Sequence, residues 1–150
     1  MKDYEVSKET LAIIPINKKE TRIIELDQEL TIKQSAFDII NKSCMYFGSS
    51  YLGRFKGTKN MIGVSHKSPI IVEETTSLIF FPTTSPRLPE CAWICLNNVK
   101  NITKKEHNCC QIMFDTGFEL DFDISHRSLS NQLLRASLLE SVIRKRKENI

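Results

Sequence analysis

Residues 129–147, LSNQLLRASLLESVIRKRK, constrain the fold of this chain more than any other stretch. Leu129, Leu133, Ala136, Leu139 and Ile143 recur every three or four residues, the spacing of one apolar face on a helix. Ser128 or Ser125 supplies the N-cap, and Arg144, Lys145, Arg146 and Lys147 fall in the last turns, where cations oppose the helix dipole. A helix with such a stripe must lie on an apolar layer or on a second copy, so the rest of the chain must supply a core. At 150 residues and 41% hydrophobic, it has the material for one domain.

That layer reads as strands. Residues 4–15 give two short extended runs around a polar turn, and residues 21–26 and 29–32 repeat the theme around Asp27-Gln28. Residues 61–64, 70–72 and 78–81 are further strand candidates, with Pro69 excluding one continuous central strand. Residues 82–90 hold three of the five prolines and form an irregular connection before the apolar CAWICL. Residues 97–108 are polar and lysine-bearing. CQIMF and FELDF flank Asp115-Thr116-Gly117 as a hairpin, with alternation clearest at Phe118, Leu120 and Phe122. Ser35 caps a helix in AFDIINKSCMYF, whose spaced Phe37, Ile40, Cys44 and Phe47 point to a core and whose stop is Gly48. The expected class is α+β: a mostly antiparallel β core, a helix preceding a basic Gly-rich loop, and a long C-terminal helix, in a single domain over residues 1–150.

The loop is where function concentrates. Between Asp38 and Glu73 there is no acidic residue, and Lys42, Arg54, Lys56, Lys59 and Lys67 give that segment +5 in a chain of net charge +3, leaving −2 for the remainder. One-signed charge suits a polyanion, because each cation set on a phosphate releases a condensed counterion; a solvated basic loop has the same composition. Glycines on either side of Arg54 would let its guanidinium protrude into a narrow A/T-rich minor groove. Lys56, Lys59 and Lys67, with His66 able to add charge, would hold phosphates. Ser49, Ser50, Thr58 and Ser65 can donate hydrogen bonds to phosphate oxygens. Tyr46, Phe47, Tyr51 and Phe55 can stack on bases or pack in the core, with at least half expected in the core.

Catalysis finds little support. Cys91 and Cys95 lie four apart on a strand, Cys109 and Cys110 are adjacent, and neither spacing makes a zinc pair, so buried thiols are the simpler reading. His66, His107 and His126 are scattered, and no phosphate-loop or nucleophile-elbow motif occurs. Asp121 and Asp123 share a strand face that reads as its solvated side. No cofactor is expected. The N-terminal MKDYEVSKE has no apolar run behind its charges, and the odd count of five cysteines argues against a secreted disulfide framework, so neither leader nor membrane span is expected and a reducing cytoplasm fits.

The run Ser43-Cys44, Tyr46-Phe47-Gly48-Ser49-Ser50-Tyr51, Gly53-Arg54, Gly57-Thr58, Ser65-His66-Lys67 and Pro69-Ile70 resembles the ComK family of competence transcription factors. Tyr4-Glu5-Val6, Phe81-Pro82-Thr83, Cys91 with Trp93-Ile94, Val99-Lys100, Ile124-Ser125, Ser128 and Asn131-Gln132 extend the resemblance over nearly the whole chain. It implies a cytoplasmic, non-enzymatic activator of DNA-uptake genes. It also implies binding to paired A/T-rich boxes of double-stranded DNA, largely through the minor groove, as homodimers assembling to a tetramer. Family members continue beyond a position like Ile150, in a tail used by the MecA-type adaptor that leads to Clp proteolysis and linked to activation, so a chain without that tail puts both activation and adaptor control in question. Apart from the resemblance, a basic interaction module for an acidic protein is the alternative, and a cysteine-dependent enzyme a third reading.

Overall fold

The computed structural model describes residues 4–150; residues 1–3, the start of the stretch read above for a leader, lie outside it. Strands β1 (Thr10–Pro15), β2 (Thr21–Glu25) and β3 (Glu29–Ile32) form the expected antiparallel meander. Asp27 lies in the turn between β2 and β3, where the Glu25 amide bonds the Gln28 carbonyl at 2.8 Å. Helices α1 (Ala36–Tyr46) and α2 (Tyr51–Ile62) follow, then the hairpin β4 (Ile70–Glu73) and β5 (Leu78–Pro82) and the short β6 (Trp93–Cys95). Strands β7 (Val99–Lys104), β8 (Cys110–Phe114) and β9 (Glu119–Phe122) lead into α3 (His126–Glu148).

The first six strands make one antiparallel sheet in the order β3-β2-β1-β6-β5-β4, and the last three make a second, β7-β8-β9. Only three residues long, β6 joins the meander to the hairpin by pairing Trp93 with Ile13 and Ile94 with Phe81. Both faces of the large sheet are covered, which is why β5 is buried at every position and reads as an unbroken apolar run rather than an alternation. On one face Ile13, Ile23, Phe80 and Trp93 pack with Ile39, Ile40 and Cys44 of α1. On the other, Ile24, Ile71, Phe81 and Ile94 meet Ile112 and Phe114 of β8 and the stripe Leu129, Ala136, Leu139 and Ile143 of α3. Each such side chain removed from water stabilises the fold by about 1.5–3 kcal/mol before entropy is counted.

The long final helix and the α+β class are as expected, with Ser125 as the cap: its hydroxyl accepts from the Ser128 amide. Several details differ. The segment before β1 forms no strand, so residues 4–15 hold one extended run, not two. Residues 61–64 are the end of α2 and its C-cap, because Gly63 takes the left-handed conformation (φ 72°) that terminates a helix. Residues 97–108 contain β7, whose partner β8 supplies the ladder that its polar sequence does not announce. The buried face of α1 is Ala36, Ile39, Ile40, Ser43 and Cys44, which leaves Phe37 exposed beside Tyr51.

Candidate nucleic-acid interface

The expected basic loop is largely a helix. Nothing in YLGRFKGTKNMI favours one strongly, since two glycines cost about 0.5–1 kcal/mol each relative to alanine. Its ends and one inner residue hold it. Ser50 caps it by accepting from the Gly53 amide at 3.0 Å, the Tyr51 amide donates to Asn41 of α1 at 2.9 Å, and the Gly63 amide closes on the Lys59 carbonyl. Thr58 is fully buried and donates to the Pro69 carbonyl at 2.7 Å, fixing α2 over the edge strand β4. Met61 and Ile62 then pack into the α3 side of the core while Tyr51 and Phe55 pack into the α1 side. The helix wraps the sheet edge and shields it from further strand pairing.

This placement sorts the residues read as polyanion contacts. Thr58 cannot serve as one, because its hydroxyl faces inward and is spent on Pro69. Nor does Arg54 protrude: its side chain is 19% exposed, its Nη1 lies 3.9 Å from Glu74 in the β4–β5 turn, and its Nε is buried without a hydrogen-bond partner. The flanking glycines do not free it, because helical spacing aims Arg54 at the sheet edge. Lys56 and Lys59 are exposed on the outer side of α2. Ser49 and Ser50 sit half-exposed at the start of α2. Tyr51 is half-buried, its ring 4.8 Å from Phe37 and 6.1 Å from Trp93. Of the four aromatics, Phe47, Tyr51 and Phe55 pack against the core and Tyr46 stands exposed.

Helix α3 presents His66 and Lys67. Its buried Gln132 donates to the Lys67 carbonyl at 2.8 Å and the Pro82 carbonyl at 2.9 Å, and Arg135 donates to the His66 carbonyl at 2.9 Å. Lys67 has φ 50°, a left-handed backbone that persists only where its surroundings over-determine it. Sequence patterning gave no sign of either positioning residue, since Gln132 interrupts the apolar stripe and Arg135 reads as a solvated charge. At the other end of α3, Arg146 donates to Asn60 of α2 at 3.2 Å, and Lys147 donates to the Glu74 carbonyl. The basic end of α3 therefore lies beside the basic helix, so two cationic segments about 86 residues apart in sequence form one surface.

The cysteines are free thiols. Burial pushes Cys44 and Cys95 up to about 11, although Arg54 draws Cys44 down and Asn97 and Asn98 draw Cys95 down. At neutral pH both are uncharged and so poor nucleophiles. No helix among the described residues is long and apolar enough to cross a membrane.

A family model described as ComK protein matches residues 1–148. The competence transcription factor of Bacillus subtilis (strain 168) is 34% identical over 144 residues, covering 94% of this chain and 75% of that protein. No solved structure matches the chain.

Proposed function

Since the chain belongs to the ComK family, we propose that it is a cytoplasmic regulator of competence-gene transcription that binds A/T-rich duplex DNA, largely through the minor groove, without a cofactor or a catalysed reaction. The observation that carries the reading is the joining of α2 to the end of α3, where Lys56 and Lys59 share a surface with Arg144, Lys145, Arg146 and Lys147. Lysines there hold phosphates and fix register on any sequence. Arginines are the groove readers, because a guanidinium drawn into a narrow groove responds to its width and thus to A/T content. With Arg54 held by Glu74, the role falls to Arg144 and Arg146. His66 and Lys67, fixed by Gln132 and Arg135, extend the phosphate contacts, and Ser49, Ser50 and Tyr51 add contacts at the start of α2.

Residues 1–150 act as one DNA-binding unit in this reading, paired as a homodimer and assembled on two boxes as a tetramer. Leu134 and Leu138, one turn apart on the outer face of α3 and 66% and 50% exposed, are the apolar pair such a dimer would cover. Competition tests the function: unlabelled A/T-rich duplex should displace a labelled A/T-rich duplex at far lower concentration than G/C-rich duplex or polyglutamate. Equal displacement by polyglutamate would contradict it and favour an acidic protein as the partner.

A further inference from the structure

The starts of α1 and α2 converge on a groove of about 830 Å³, of whose lining the proposed DNA surface uses only Tyr51, His66 and Lys67. Its size is that of a small-ligand site rather than a packing gap. Phe37, Tyr51, Phe55 and Trp93 give it an aromatic wall. Phe37 and Tyr51 meet edge to face, while Tyr51 and Phe55 lie near parallel, so flat surfaces already stack here. Leu52, Leu88 and Phe37, all of them exposed, form its lips.

The charge on the lining has one sign. Lys18, His66, Lys67 and Arg87 line the groove, and among the described residues no aspartate or glutamate does. Two helix N-termini open onto it, Ser35 to Phe37 of α1 and Tyr51 and Leu52 of α2, and each adds the partial positive charge of a helix start, although the Asp38, Tyr51 and Gly53 amides are already bonded to Ser35, Asn41 and Ser50. Trp93 backs this wall and is fully buried, so the groove is floored by packed aromatic rings rather than by open backbone.

We propose that this groove binds a small phosphorylated aromatic metabolite of the nucleotide class. The base would lie against Phe37 and Tyr51, and the phosphate would sit between Lys18, Arg87 and the two helix starts. A bare phosphate would leave the aromatic wall uncovered, and a nucleoside would leave the cations unpaired. His66 and Lys67 belong both to this groove and to the proposed DNA surface, so occupancy gives the regulator a metabolite-sensitive control. The proposal goes beyond the DNA reading and its test needs no DNA.

Trp93 is the only tryptophan in the chain, so its fluorescence reports on the groove alone. The full chain is titrated with adenosine and guanosine monophosphates, adenosine, inorganic phosphate and a short single-stranded oligonucleotide, following Trp93 emission and heat of binding. The expected result is saturable binding of at least one mononucleotide, tenfold or more tighter than adenosine or phosphate. Arg87→Gln, an exposed change in the proline-rich connection, should weaken it about tenfold and leave thermal stability unchanged. Phe37→Ala should weaken adenosine and the mononucleotide alike. No saturable mononucleotide binding, or binding indifferent to both variants, would overturn the proposal. Tight binding of the oligonucleotide with none of the free nucleotides would also overturn it, assigning the groove to a strand of nucleic acid.

Discussion

Single side chains in this molecule take their roles from contacts made far away in sequence. Arg54 was the most conspicuous cation of the chain, set between glycines, and the structure turns it into a strut between α2 and Glu74. Its buried Nε has no partner, so a similar-sized apolar side chain should do at least as well there. Arg54→Met is expected to keep or raise the melting temperature and to leave the A/T to G/C affinity ratio unchanged, as measured by thermal unfolding and duplex titration. Glu73 shows the same dependence on neighbours. Burial would raise its carboxyl, but the amides and hydroxyls of Thr75 and Thr76 outweigh that and bring it from 4.5 down to about 2. A carboxylate depressed in the folded state contributes stability that is complete above its unfolded value and is lost as pH falls through the folded one. Stability should therefore decline between about pH 4.5 and 2, and Glu73→Gln should flatten that part of the curve in denaturant unfolding followed against pH.

At the scale of elements, α2 is the piece that matters most and the one least visible beforehand. Gly53 and Gly57 stand one turn apart, and a Cβ at Gly57 would meet only the end of Met61 at 3.7 Å. Gly57→Ala should then stabilise the fold by about 0.5–1 kcal/mol, raising the melting temperature by about 1–4 °C. If that bare face of α2 lies against DNA, the same variant should bind the duplex more weakly despite its greater stability, a split read by unfolding and titration on one preparation. A scaffold glycine would show the gain alone.

Elements carrying their own period were legible. The α3 stripe and the β4, β5 and β6 runs announce themselves because burial on one helix face or on both sheet faces leaves a local record. In β7 a register shift between Val99 and Asn101 breaks the alternation, so its inward residues fall three apart and the strand looks like polar loop. Helix α2 was hidden because its stability is tertiary, resting on Thr58 bonded to Pro69 and on packing against two other helices. The signals it did carry, Ser50 before it and Gly63 after it, are those of a helix start and stop. For the site, charge was legible and neighbourhood was not: no local pattern brings Arg146 to Asn60, or Arg87 to the start of α2. The outer face of α3 offers a further check on assembly. Leu134→Asp with Leu138→Asp should lower the mass seen in light scattering while leaving the melting temperature within a few degrees. Leu139→Ala in the core should instead cost about 2–5 kcal/mol of stability.

For the whole molecule, the account rests on one arrangement: a sheet covered on both faces, its edge wrapped by a weakly helical basic segment, and a long helix that holds the C-terminal end of that segment. Gln132 and Arg135 fix the basic turn at His66 and Lys67, and Arg146 meets Asn60 near the end of α2. The lysines proposed to hold phosphates, Lys56 and Lys59, and the arginines proposed to read the groove, Arg144 and Arg146, stand on different helices, so their contributions to binding can be separated by substitution. The most direct measurement is the affinity of the full chain for A/T-rich and G/C-rich duplexes at two salt concentrations, compared with Lys56→Ala/Lys59→Ala and Arg144→Ala/Arg146→Ala. The lysine pair should weaken both duplexes alike and reduce the slope of log affinity against log salt by about two units, as expected for two lost phosphate contacts. The arginine pair should cost on the order of 1–3 kcal/mol per arginine on the A/T-rich duplex and less on the other. An unchanged A/T preference in the folded arginine variant, or an intact protein that does not distinguish the two duplexes, would contradict the account.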